Sequence, residues 1–507
     1  MSEPGTILAL LSSGDERKGA LEAPGRKPLS YGELRSHVVE TVSRLNALGV
    51  GRNDPVAIVL PNGPEMASSF LSVASAATAA PLNPAYREEE FEFYLSDLNA
   101  RLLLVDRESG ALARKVADRL GIPVAEIIES PDGHAGLFRI EGEGAQASAR
   151  LPGPARADDV ALVLHTSGTT SRPKIVPLAH RNVCASAGNV ARSLALGSAD
   201  RCLNVMPLFH IHGLIAAVMA SLSAGGSVFC TPGFNALKFF AWMEEARPTW
   251  YTAVPTMHQA ILARSERNRE TIARNPLRFL RSSSASLAPQ VMKALEDTFG
   301  APVIEAYGMT EAAHQMASNP LPPRPRKAGS VGIAAGPEVA IMDEGGNLLP
   351  PGGVGEVVIR GQNVTSGYQS NPEANGKAFT HGWFRTGDQG VLDDEGYLRL
   401  TGRLKEIINR GGEKISPREV DEVLLDHPAV AQAVTFAIPH EKLGEDVGCA
   451  LILKEGLTAT ESEIRDYAAK RLANFKVPRR VLFLKEIPKG PTGKLQRIGL
   501  AEKLGLA

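Results

Sequence analysis

Short apolar runs alternating with longer amphipathic stretches constrain this chain more than any other feature. Residues 56–60 (VAIVL), 102–105 (LLLV), 160–164 (VALVL) and 303–305 (VIE) are brief and apolar, and segments of helical texture separate them. Helices layered on sheet give this pattern, so the fold class is α/β. At 507 residues the chain is too long for one core and should form at least two domains. From about residue 340 the texture changes to short strands and Gly-rich turns, such as 343–347 (DEGGN) and 393–396 (DDEG), so 340–400 reads as a β-rich subdomain. A smaller α/β unit follows. It has a helix over 417–425 with Pro417 near its start, a strand near 431–437, and a helix opened by the capping box Thr460-x-x-Glu463. The boundary near 401–405 divides the chain into an N-terminal domain, 1–401, and a C-terminal domain, 402–507.

Charge and cysteine content exclude several function classes. The formal net charge is −1, which argues against nucleic acid or an acidic membrane surface as partner, so basic residues must act locally. Cys184, Cys202, Cys230 and Cys449 are scattered without a Cys-x-x-Cys pair, which disfavours a metal cluster or disulfide framework and suits a reducing compartment. No segment reads as a signal peptide, an organellar transit peptide or a membrane span, so the expected location is the cytoplasm.

The apolar run 160–164 leads into Thr166-Ser167-Gly168-Thr169-Thr170-Ser171-Arg172-Pro173-Lys174. A strand entering a small hydroxyl-rich loop with a basic end can cradle phosphate through backbone N–H groups, hydroxyls and the lysine. The loop lacks the Gly-x-x-x-x-Gly-Lys-Ser/Thr frame of a Walker A motif. Further along come 207–213 (PLFHIHG), 307–311 (YGMTE), 385–388 (RTGD), 402–405 (GRLK) and 488–494 (PKGPTGK).

Together and in this order, these segments resemble the signatures of the AMP-forming acyl-CoA synthetases, the adenylate-forming superfamily. Similarity through 81–84 (PLNP) extends the resemblance over nearly the whole chain. It implies a large, multi-subdomain adenylate-forming N-terminal domain and a small mobile α/β C-terminal domain. It also implies ATP, Mg²⁺ and coenzyme A as reactants or cofactors. Thr166, Ser167, Gly168, Thr169, Thr170 and Lys174 would hold the ATP phosphates, Tyr307 would stack on adenine, and Asp388 with Arg403 would hold the ribose. Thr310 would contact phosphate and Glu311 would bind Mg²⁺. Lys494 would neutralise charge developing near the α-phosphate and acyl oxygen during adenylation, and is an expected target of a lysine acetyltransferase. Lys405 stands at the hinge position, and Gly411-Gly412 would leave room for the pantetheine arm of CoA. Two positions depart from the usual loop: Ser171 and Ile175 stand where glycine is common. Ile175 is incompatible with a positive φ, so extended backbone is expected there.

The acid substrate is suggested by polar residues where fatty or aromatic acids would want apolar ones. His210, His314, Ser283 and Ser284 would line the acid site, with His212 nearby. Donors around a small cavity favour a short acid carrying a second polar or negative group. The wording of 165–174, 309–314, 318–322 and 489–497 resembles the oxalate-activating branch of the superfamily. The expected reaction is therefore oxalate to oxalyl-CoA with release of AMP and pyrophosphate. Alternatives are a CoA ligase for another small or aromatic acid, such as malonate or a 4-coumarate-like acid, or an adenylating enzyme that loads a carrier protein in trans.

Overall fold

The computed structural model describes residues 4–130, 133–142, 148–166, 173–488 and 497–506. Among these, the chain separates into two compact units. One takes in residues up to 166, 174–339 and 359–378, and the other takes in 340–358 and the residues from 379 onward.

The first unit is built on two sheets. The seven-stranded sheet runs, in spatial order, Phe138–Gly142, Val124–Glu129, Leu102–Val105, Pro55–Val59, Thr78–Pro81, Val160–Thr166 and Lys174–Ala179. The nine-stranded sheet runs Ile333–Ala334, His314–Ser318, Val303–Met309, Phe279–Ser282, Trp250–Ala253, Arg201–Asn204, Ser227–Cys230, Gly19–Glu22 and Leu29–Ser30. Its central pairs are parallel. Strands such as Ser227–Cys230, Trp250–Ala253 and Phe279–Ser282 are buried at every position. That follows from helices covering a parallel sheet on both faces.

Helix Pro64–Ala76, rich in alanine and serine, is buried almost throughout, and its apolar residues join strand residues of both sheets in one core. Helix Tyr31–Ala47 starts at a Ser30/Glu33 capping box and turns Leu34, Val38, Val42 and Leu45 into that core. All four cysteines are buried thiols.

Two five-stranded sheets complete the described chain. One orders Glu338–Met342, Val354–Arg360, Trp383–Leu392 and Phe379–Thr380, with Leu398–Arg403 also paired to Trp383–Leu392. The other orders Glu413–Ile415, Ile408–Arg410, Gly444–Leu453 and Val430–His440, with Arg480–Phe483 parallel to Gly444–Leu453. Helices Pro417–Leu425 and Glu461–Ala469 share a core with this second sheet through Val420, Leu424, Ile464 and Ala468. Thr460 and Glu463 form the expected capping box. No described helix is long and apolar enough to cross a membrane.

Candidate active site

Strand ends bring the expected residues of the first unit together. Thr166 closes the strand Val160–Thr166 and pairs in register with Lys174, the first residue of the returning strand. Ile175 is buried, extended and paired with His165, as its side chain requires. The phosphate-loop residues Ser167, Gly168, Thr169 and Thr170, with Ser171, lie outside the described residues, as does Lys494.

Tyr307 lies in the strand Val303–Met309 and is mostly buried. Thr310 and Glu311 follow in a single 3₁₀ turn, and His314 starts the antiparallel strand that comes back. The turn is tight. A Cβ on Gly308 would come within 1.7 Å of the His314 carbonyl oxygen, so only glycine fits there. Ala313 and His314 both have positive φ, 47° and 106°. Such backbone costs energy in residues with a Cβ and tends to be kept where function demands it.

Glu311 is held from an unexpected direction. Tyr368 donates its hydroxyl to Glu311 Oε1 at 3.0 Å, and Lys174 Nζ lies 4.5 Å from the centre of the same tyrosine ring. Asn375 fixes the Tyr368 backbone, accepting from its N–H at 2.7 Å and donating to its carbonyl at 2.9 Å. Burial and the neighbouring Glu311 push the Tyr368 phenol well above its ordinary pKa, so it stays a donor. Tyr368 thus couples the lysine of the phosphate loop to the expected metal-binding carboxylate. Sequence reasoning missed it, because a lone tyrosine after 365–367 (TSG) carries no motif.

The acid-site residues gather at the end of the strand Phe279–Ser282. His212 opens a buried π-helical segment, His212–Met219, and stacks edge-on against His314 with ring centres 4.9 Å apart. Its Nδ1 is 3.0 Å from Ser284 Oγ. Ser284 is exposed, with φ 71°, whereas Ser283 is buried and donates to the Ala306 carbonyl at 2.9 Å. Of the two serines, Ser284 is the one placed to meet a ligand. His210 is half-buried, with its ring 4.6 Å from that of Phe209. Beneath them lies Arg281, fully buried. The signal for it was present in the sequence: an arginine where an all-buried strand wants an aliphatic side chain.

In the second unit, Asp388 and Arg403 face each other across a strand pair, with Arg403 Nε 3.3 Å from Asp388 Oδ1. Lys405 is exposed in the 3₁₀ turn Leu404–Glu406. Gly411 and Gly412 form the two-residue turn between Ile408–Arg410 and Glu413–Ile415, with φ of 61° and 102°. A hairpin turn of this length with both central residues at positive φ favours glycine, which accounts for the pair before any ligand is considered.

Known proteins resemble this chain over most of its length. The family model described as AMP-binding enzyme matches residues 13–369, and the one described as AMP-binding enzyme C-terminal domain matches 419–494. This chain belongs to the AMP-binding enzyme family. Its fold is that of the adenylate-forming acyl-CoA synthetases. Among its relatives, an oxalate–CoA ligase of Arabidopsis thaliana is 48% identical over 483 residues, covering 94% of each chain. An oxalate–CoA ligase of Saccharomyces cerevisiae is 44% identical over 477 residues, covering 89% of this chain and 87% of the relative. The crystal structure of ATP-bound MatB from Rhodopseudomonas palustris superposes with a TM-score of 0.88 at 30% identity, covering 99% of both chains.

Proposed function

We propose that this AMP-binding enzyme converts oxalate to oxalyl-CoA. A carboxylate oxygen attacks the α-phosphorus of ATP, the α–β phosphoanhydride bond breaks and pyrophosphate leaves. The CoA sulfur then attacks the acyl carbon, its proton passes to solvent and AMP departs. Both steps place charge on oxygen, which preorganised cations and donors stabilise.

In this reading Thr166 and Lys174 contact phosphate together with the loop between them. Tyr307 stacks on adenine, Thr310 supports the phosphates, and Asp388 with Arg403 holds the ribose. Lys494 serves adenylation, Gly411 and Gly412 serve the thiol step, and Lys405 is the hinge of a functional division at 401/402. Among the described residues, no group of three or more acidic, histidine or cysteine side chains could form a metal cage. Mg²⁺ is nevertheless compatible with the donor set, since it is commonly held by one carboxylate, here Glu311, plus phosphate oxygens and water. The buried thiols suit a cytoplasmic setting, and acetylation of Lys494 would remove the charge that adenylation needs.

What carries the choice of oxalate is the polar lining of the acid site. His212, Ser284 and His314 offer imidazoles and a hydroxyl where a fatty or aromatic acid would need apolar walls. The similarity to two oxalate–CoA ligases supports the same reading. The test is AMP and acyl-CoA formation with ATP, Mg²⁺ and CoA across oxalate, malonate, acetate, 4-coumarate and octanoate. Oxalate is expected to lead by a wide margin. Preference for 4-coumarate or octanoate would keep the adenylate chemistry and overturn the polar acid site.

A further inference from the structure

Among the described residues, Arg281 is a cation with no opposite charge beside it. Its relative exposure is 0%, and among the described residues it makes no ion pair. Nη1 lies 3.3 Å from His212 Nε2 and 3.4 Å from Thr252 Oγ1, and Nη2 lies 3.2 Å from Gln315 Oε1. Nε has no hydrogen-bond partner. A guanidinium stays charged, and burying it without a carboxylate is unfavourable for the fold. The amide of Gln315 is oriented to receive it, since Nε2 donates to Ser193 Oγ at 3.0 Å and to the Ala335 carbonyl at 3.2 Å, leaving Oε1 to accept.

Arginine can only donate, so His212 Nε2, facing Nη1, must be the bare ring nitrogen. The Thr252 hydroxyl, 2.6 Å from the same atom, donates to it as well. Burial, reinforced by His314 and Arg281, holds His212 well below the ordinary histidine pKa, so the ring is neutral. Its one proton is therefore on Nδ1 and is donated to Ser284 Oγ. With that oxygen accepting from the histidine, the serine's own proton is directed elsewhere. Ser284 is exposed and held at φ 71°.

We propose that Arg281 is a positioning residue for the acid. Through His212 it aims the Ser284 hydroxyl at the substrate's second anionic group, and its uncompensated charge selects acids that carry one. The proposal rests on the reading of this site as the place of a small acid. The charge that no carboxylate among the described residues neutralises is matched by the ligand's distal anion, so a site unfavourable to the empty fold becomes favourable to the dianion. An acid with the same reacting carboxylate and a neutral far end gains nothing from it.

The experiment compares oxalate with monomethyl oxalate, in which the second carboxylate is capped, by AMP formation in the wild type and in Arg281→Met, Arg281→Lys and Ser284→Ala. The melting temperature is recorded for each. Arg281→Met is expected to raise the oxalate KM about thirtyfold and collapse the preference for oxalate over its ester, with an unchanged or higher melting temperature. Arg281→Lys is expected to restore part of the preference. Ser284→Ala, at an exposed position, is expected to fold normally and lose preference in the same direction, which keeps the test decisive if Arg281→Met does not fold. Equal losses on both acids together with a lowered melting temperature would reduce Arg281 to a structural role, and an unchanged oxalate KM would overturn the proposal outright. Wild-type enzyme that turns over neither compound would overturn the oxalate reading instead. The same variants would then be compared on the preferred acid of the panel and its capped analogue, and only a selective loss on an anionic acid would sustain the relay.

Discussion

Tyr368 shows how one side chain can connect two motifs that the sequence presents as separate. Its hydroxyl reaches Glu311 Oε1 and its ring lies under the Lys174 ammonium. Tyr368→Phe keeps the ring and removes only the hydroxyl. A charge-assisted hydrogen bond contributes roughly 1.5–3 kcal/mol, so adenylation should slow by about tenfold or more. The Mg²⁺ concentration for half-maximal rate should rise with it, because Glu311 loses the donor that orients it. ATP–pyrophosphate exchange titrated with Mg²⁺ checks this, and an unchanged Mg²⁺ dependence would detach Tyr368 from the metal role. At this scale legibility depended on motif membership. Glu311, His314 and Ser284 were visible because they stand in recognisable segments. Tyr368 is 57 positions from Glu311 in the chain and was not. Arg281 could have been read from burial logic alone, since a charged residue in an apolar strand is improbable without a reason.

Among the elements, those with local signals were the ones that could be read. Helix Pro417–Leu425 and the strand Leu102–Val105 occur with the expected bounds, because the proline at helix start and the short aliphatic run are local features. The π-helical turn at His212–Met219 was not legible: a segment apolar on every side has no periodicity to betray its winding. Helix Pro417–Leu425 also carries a pH-sensitive contact. Asp421 is buried, accepts from the Thr435 N–H at 2.6 Å and pairs with Arg497 at 2.8 Å, and Arg497 also meets Glu406 at 3.3 Å. Burial outweighs these partners and raises the Asp421 pKa to about 6. The native state therefore binds the proton more tightly than the unfolded chain, whose aspartate titrates near 4. This contribution to stability is full below about pH 4 and is lost as pH rises through about 6. Asp421→Asn cannot titrate, so the wild-type advantage in urea midpoint over the variant should shrink from pH 4 to 6.5. A gap that widens with pH would mean that the ion pair with Arg497 outweighs desolvation.

For the whole molecule, the sequence carried the reaction class more clearly than the arrangement of the chain. The α/β class, the β-rich stretch and the small C-terminal unit all have signatures in texture. By contrast, residues 359–378, which carry Tyr368, cluster with the first unit although the strands on either side cluster with the second. Nothing local marks that return, because it is decided by long-range contacts such as Asn182 Nδ2 donating to the Gln362 and Val364 carbonyls. The two half-reactions make different demands. Adenylation develops negative charge on phosphate and acyl oxygens, whereas thioester formation needs only a thiol brought to an acyl group already activated. If Lys494 serves the first demand alone, Lys494→Ala should depress ATP–pyrophosphate exchange by about 100-fold or more, the scale seen when a preorganised charge stabiliser is removed. The same variant supplied with preformed acyl-adenylate and CoA should still release acyl-CoA at close to the wild-type rate. Equal loss in both assays would place Lys494 in the thiol step too, and the division of labour between Lys494 and the Gly411–Gly412 turn would have to be abandoned.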